Sequence, residues 1–214
     1  MGYNTYGQKS ASVGVPHQVW AEVRGVKHGG GTIDATAFAD YAVGAVIPAG
    51  TPMYLDKSGG TATPVYFYEL LEDIDSSDTE LLLKGVAPLG SAGFLMVAPA
   101  VAGGAGKGVA ITEPAVVDAE AFIHSAKITA DALGALDAGT ILMVADKAHA
   151  STSVPVNQAI PNGLLMHEIV KKDGDSWATV GVVDEGRIFE DRIVGGVPAS
   201  YKVVMPEIKF EKGI

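Results

Sequence analysis

There is no cysteine in this chain. Disulfide frameworks, thiolate metal sites and cysteine nucleophiles are therefore excluded. Charge and aromatics are also scarce, at 19% and 7% of residues. Fifteen Lys and Arg against twenty-five Asp and Glu leave a net charge of −10, so no nucleic-acid or anionic-membrane partner is expected. No apolar run reaches membrane-spanning length, and "MGYNTYGQKSASVGVPHQVW" has no basic segment followed by an apolar one. These two absences predict a soluble, unprocessed chain.

What is present is turn chemistry and apolar bulk: 27 Gly, 11 Pro and 48% hydrophobic residues in 214. That composition describes a folded chain of many short elements, with enough length for one larger domain or two small ones. Residues 42–57 read "AVGAVIPAGTPMYLDK" and residues 132–147 read "ALGALDAGTILMVADK". Both run Gly-Ala-hydrophobic, Ala-Gly-Thr, then a short apolar stretch closing on Asp-Lys, with a one-residue shift inside the frame. We expect a duplicated β unit whose Ala-Gly-Thr corner leads into a strand, the two copies forming two similar lobes or one pseudo-symmetric barrel.

Period-two alternation dominates elsewhere. "HQVWAEVRGV" sets Val19, Ala21 and Val23 against Gln18, Glu22 and Arg24, the pattern of a half-buried strand. A turn or hinge is expected at Gly29–Gly31, and a hairpin from a strand at 53–55 and an extended piece at 63–68. Further expectations are a flexible glycine loop at 103–108, a strand at 120–128 and a short helical turn at 130–133. A β-meander is expected after the second copy, with a charged turn at 171–176. The chain thus reads as mainly β, with small barrel- or sandwich-like units, few short helices and extended terminal arms. The expected divisions are an N-terminal arm and first strand (1–37), a first β unit (38–117), a second unit (118–190) and a C-terminal arm (191–214).

Catalytic patterns are missing. "GGAGKGVA" follows its Lys107 with Gly, so it lacks the hydroxyl residue and spacing of a phosphate-binding loop. His17, His28, His124, His149 and His167 show no zinc spacing, and no G-x-S-x-G elbow accompanies Ser125 or Ser151. The acids of "ELLEDIDSSDTE" (69–80) invite a calcium reading, yet the glycine and closing glutamate of an EF-hand loop are absent. A solvated acidic loop is the simpler reading. No catalytic, metal or cofactor residue is assigned, and no enzyme is expected.

The ends carry apolar residues among polar ones: Tyr3, Tyr6, Val13 and Val15 at the start, and Tyr201, Val203, Met205, Ile208 and Phe210 in "ASYKVVMPEIKFEKGI". Such segments either add a strand to another chain or supply an edge strand to their own domain. These nine residues are the candidate interface.

The order "AGTPMYLD", a Gly/Thr-rich turn, "NGLLMHEIV", a polar turn and "ATVGVVDEGRI" resembles tailed-phage head decoration and head fibre proteins, most clearly over 130–190. "MPEIKFEKGI" is similar to the Pro-x-Ile-x-Phe endings of some head fibre proteins. The duplication departs from small decoration proteins, which carry one such unit. The resemblance implies a virion protein on the outer capsid surface, with the major capsid protein as partner and a homo-oligomeric state, trimeric or, for fibres, dimeric. The alternative reading is a carbohydrate-binding or adhesive β module, whose stacking supply would be Trp20, Tyr54, Tyr66, Tyr68 and Trp177.

Overall fold

The computed structural model describes residues 18–27, 30–33, 41–87, 89, 93–129, 133–145, 147, 149–155, 159–172 and 178–213, the stretch 149–155 as backbone only. The chain is mainly β, as its alternation predicts. The first half gives β1 (Trp20–Val26), β2 (Gly31–Ile33), β3 (Val46–Ile47), β4 (Pro52–Asp56), β5 (Thr61–Pro64), β6 (Phe67–Leu70) and β7 (Glu80–Gly85). Next come β8 (Phe94–Val97), β9 (Ala105–Ala110), β10 (Thr112–Asp118), β11 (Ile123–Lys127), β12 (Ile141–Val144) and β13 (His149–Pro155). The last group is β14 (Gly163–Leu165), β15 (Ile169–Val170), β16 (Ala178–Val180), β17 (Val182–Phe189), the short helix α1 (Ala199–Lys202) and β18 (Ile208–Glu211).

Two curled sheets hold nearly all of these strands. One runs β1-β17-β14-β4-β5-β2-β16, with β18 added in parallel to β17; the other runs β10-β11-β7-β6-β12-β8-β9-β13, and β3 pairs separately with β15. Alternation decides which side chains go inward: in β7, Leu81, Leu83 and Gly85 are buried between half-exposed neighbours. Central strands are buried on both faces, so neighbours such as Leu142 and Met143, or Leu164 and Leu165, enter two different apolar clusters. Both clusters draw on both sheets.

The repeated frame is a repeated structure. In the first copy Gly50 takes φ +83°, Thr51 Oγ1 donates to Pro48 O at 2.7 Å, Gly50 N donates to Leu165 O and Leu165 N to Thr51 O. In the second, Gly139 takes φ +84°, Thr140 Oγ1 donates to Asp137 O at 2.7 Å, Gly139 N donates to Leu70 O and Leu70 N to Thr140 O. Ile47 pairs with Ile169 and Leu136 with Ile74 at matching positions. An L-residue at φ near +80° is strained. The glycine of each Ala-Gly-Thr group is therefore the residue that lets the chain turn there.

The equivalence exposes an exchange. Within the sheets, β1-β17-β14-β4 in one matches β11-β7-β6-β12 in the other. The first corner does not pair with the strand that follows it in its own copy, β6; it pairs with β14 of the second copy, while the second corner pairs with β6. Strands from the expected units 38–117 and 118–190 thus share both sheets. The pseudo-symmetric arrangement describes the chain, and separate lobes do not.

Other expectations need revision. Residues 63–68 are not one strand: β5 ends at Pro64 in one sheet and β6 begins at Phe67 in the other. Ala105–Gly108 is no loop but the start of β9, paired with β8 and β13. The segment after the second copy is not a meander, because β16 leaves to pair with β2 while β17 returns to β14. The strand expected at 120–128 is β11, and the charged turn and helical turn fall largely outside the described residues.

Candidate functional site

The four N-terminal candidates Tyr3, Tyr6, Val13 and Val15, with His17, His28 and Trp177, lie outside the described residues. The C-terminal five do not form an extended arm. Tyr201, Met205 and Ile208 are buried in the chain's own core, Phe210 is half-buried in β18, and Val203 is 76% exposed. The alternation of 201, 203 and 205 suggested a strand, but Val197, Tyr201, Met205 and Ile208 also follow a spacing of four, four and three, the period of a helical face. Pro198, held in extended backbone, introduces α1, and the short helix turns Tyr201 and Met205 inward. β18 then supplies an edge strand to its own sheet.

Tyr201 is the centre of this closure. Its ring packs edge-on against Phe67 at 5.0 Å, and its hydroxyl accepts from Gly103 N at 3.1 Å. Burial raises its pKa, opposed by that hydrogen bond. Next to it, Ser200 Oγ donates to Pro99 O at 2.7 Å. These two bonds hold the β8–β9 connection against α1.

The surface built on this closure carries exposed apolar side chains, Val101 at 72%, Val203 at 76%, Val204 and Ile160; Ile160 closes against Gly103. The stretches 97–106, 159–166 and 197–206 that build it contain a single charge, Lys202, and that ammonium is engaged by Glu190 and the Phe210 ring. In a chain of net charge −10, an uncharged apolar face of this kind is the feature expected of an interaction surface.

A cleft of about 500 Å³ is lined by Lys84, Glu120, Ala121, Phe122, Asp191, Arg192 and Val194. Two of its polar groups serve structure. Asp191 accepts from Gly213 N at 2.7 Å, while Arg192 donates to Gln18 O at 2.7 Å and sits over the Phe189 ring. The lining holds no nucleophile beside a base.

Three acids of 69–80, Asp73, Asp75 and Asp78, shape turns. Asp73 Oδ1 accepts from Ala138 N at 2.7 Å, tying this loop to the second corner. Asp75 Oδ1 accepts from both Ser77 N and Oγ, the hydroxyl bond being the largest cause of its lowered pKa. Asp78 Oδ2 accepts from Asp75 N. Among the described residues no group of three or more His, Asp or Glu is placed to hold a metal.

His124 is a core residue, 5% exposed, with Nε2 2.8 Å from Gly85 O. Of the aromatics considered for sugar stacking, Trp20 and Tyr68 are buried, Tyr66 is half-buried and Tyr54 is 37% exposed. The 99–104 connection was missed in the sequence: the glycine loop was expected at 103–108, and the connection lies earlier, held against α1 by Tyr201 and Ser200.

Comparison with protein-family models, curated proteins and solved structures gives no match to this chain.

Proposed function

We propose that this protein is a structural, non-enzymatic subunit that binds the outside of a phage capsid as a head decoration or head fibre protein, with the major capsid protein as its partner. The observation that carries the reading is the order of the Ala-Gly-Thr-Pro corner, the "NGLLMHEIV" segment and the closing "ATVGVVDEGRI", which resembles those proteins. The body provides a rigid β scaffold, and the surface carrying Val101, Ile160, Val203 and Val204 is the face assigned to the lattice. The N-terminal segment, with Tyr3, Tyr6, Val13 and Val15, is assigned to strand addition on a capsid sheet.

Cosedimentation with undecorated, expanded capsids tests this directly. Saturable binding at a fixed ratio to capsid subunits is the expected result. Removing Met1–Val15, or replacing Val203 and Val101 together by Ser, weakens binding while the thermal melt stays unchanged. Absence of binding to cognate capsids overturns the proposal, and selective capture on a glycan array moves the assignment to a carbohydrate-binding module.

A further inference from the structure

The two halves of the chain, 18–87 and 93–213, cannot complete their sheets alone. Six ladders run between them: β1 with β17, β4 with β14, β2 with β16, β3 with β15, β7 with β11 and β6 with β12. The Ile74–Leu136 bridge makes a further link. β1 and β3 have no strand partner in their own half. Both apolar clusters mix the halves as well, with Leu83 beside Leu142 and Val182 in one, and Phe67 beside Met143 and Leu164 in the other.

The exchange is reciprocal. Each copy gives its corner strand to one sheet and its following strand to the other, and equivalent hydrogen bonds form in both directions. Reciprocal contact between equivalent units is the signature of a closed two-fold interface. The single chain therefore has the architecture of two units that have traded strands, fused through the five residues "PLGSA" at 88–92.

We infer that a second copy of this chain is a partner of this same interface: two chains form a closed dimer in which residues 18–87 of one complete residues 93–213 of the other. Each of the six ladders is reproduced between chains while the ladders within each half are kept, so the exchange sacrifices no strand pairing. What separates the two forms is the entropy of joining two chains against the closure entropy of one connection, which makes the dimer a function of chain concentration during folding. Once folded, interconversion requires six ladders to open, so each form persists after dilution. The inference concerns self-assembly alone and stands apart from capsid binding.

The test uses the full chain with and without a size tag. The two are unfolded together, refolded by dilution at a series of concentrations and separated by size with mass determination. Hybrid dimers are expected after co-refolding, their ratio to monomer rising in proportion to chain concentration, and none after folded proteins are simply mixed. The absence of cysteine allows a second readout. Leu82 and Ser125 are opposed in the β7–β11 ladder and half-exposed. Directly opposed antiparallel residues lie about 4.5–5.5 Å apart at Cα, within disulfide reach. In the Leu82→Cys/Ser125→Cys chain, the disulfide closes within one chain in monomers and links two chains in dimers. The inference is overturned if co-refolding gives no hybrid at any concentration. It is equally overturned if hybrids form on mixing native protein, or if the dimer's disulfides close within chains, since both describe a surface contact.

Discussion

His124 projects from β11 into the core with Nε2 against the Gly85 carbonyl and Nδ1 without a hydrogen-bond partner among the described residues. Burial holds its pKa below the ordinary value of 6.5, outweighing the opposing effect of that carbonyl. The folded state therefore resists a proton that the unfolded chain accepts. Its contribution to stability is intact above pH 6.5 and is lost as pH falls from there through the depressed folded value. We expect the melting temperature of the native protein to decline as pH is lowered below 6.5, and that of His124→Gln to decline less over the same interval. Equal slopes for the two proteins would remove His124 as the cause. The carboxylates whose pKa is lowered by hydrogen bonds, Asp56 through Ser58, Asp75 through Ser77, Glu22 through Arg24 and Glu211 through Arg187, lose their contribution only at more acid pH. The sequence showed only that His124 lacks zinc spacing; its place in the core and its partner, 39 positions away, were not visible in the local pattern.

At the scale of the element, the two corners share backbone but not surroundings. A Cβ on Gly50 would stand 2.8 Å from Val19 Cγ1 and 3.1 Å from Ile188 Cδ1, whereas one on Gly139 would meet nothing within 4 Å. Gly139→Ala carries only the left-handed penalty, about 1–2 kcal/mol. Gly50→Ala adds overpacking of about 1–3 kcal/mol, so urea unfolding should show the larger loss at Gly50; equal losses would mean that the pocket around Gly50 yields freely. The C-terminal segment makes a second element-scale prediction. Ending the chain after Pro198 removes Tyr201, Met205 and Ile208 from the core. At roughly 1.5–3 kcal/mol for each large apolar side chain, the loss rivals the whole stability of an ordinary domain, about 5–15 kcal/mol. That truncated chain should show no cooperative thermal transition, and a normal melt would mean that the segment is the dispensable arm its alternation first suggested. The strand β1 was legible from its alternating apolar and polar residues. Residues 197–208 satisfied two periods at once; the chain turns helical only over Ala199–Lys202, where Tyr201 packs against Phe67 and Gly103, and is a strand again from Ile208.

At the scale of the whole molecule, the interleaving predicts how the chain responds to being cut. A protease site placed between Ala87 and Gly93 and cleaved to completion should leave both pieces eluting together at the mass of the intact chain. They should separate only in denaturant, and neither piece alone should melt cooperatively. Pieces that part in native buffer would contradict the six shared ladders. The sequence by itself determined the mainly β class, the absence of thiol chemistry, the two corners and the glycine each requires, because alternation, composition and left-handed turns are local properties. Which strand each corner takes as its neighbour was decided only in the tertiary structure. Leu70 and Leu165 are both apolar residues in strands that follow an Ala-Gly-Thr corner, and either satisfies the local pattern. The choice of the other copy's strand comes from burying both faces of the central strands at once, a requirement that exists only when the two halves are folded together.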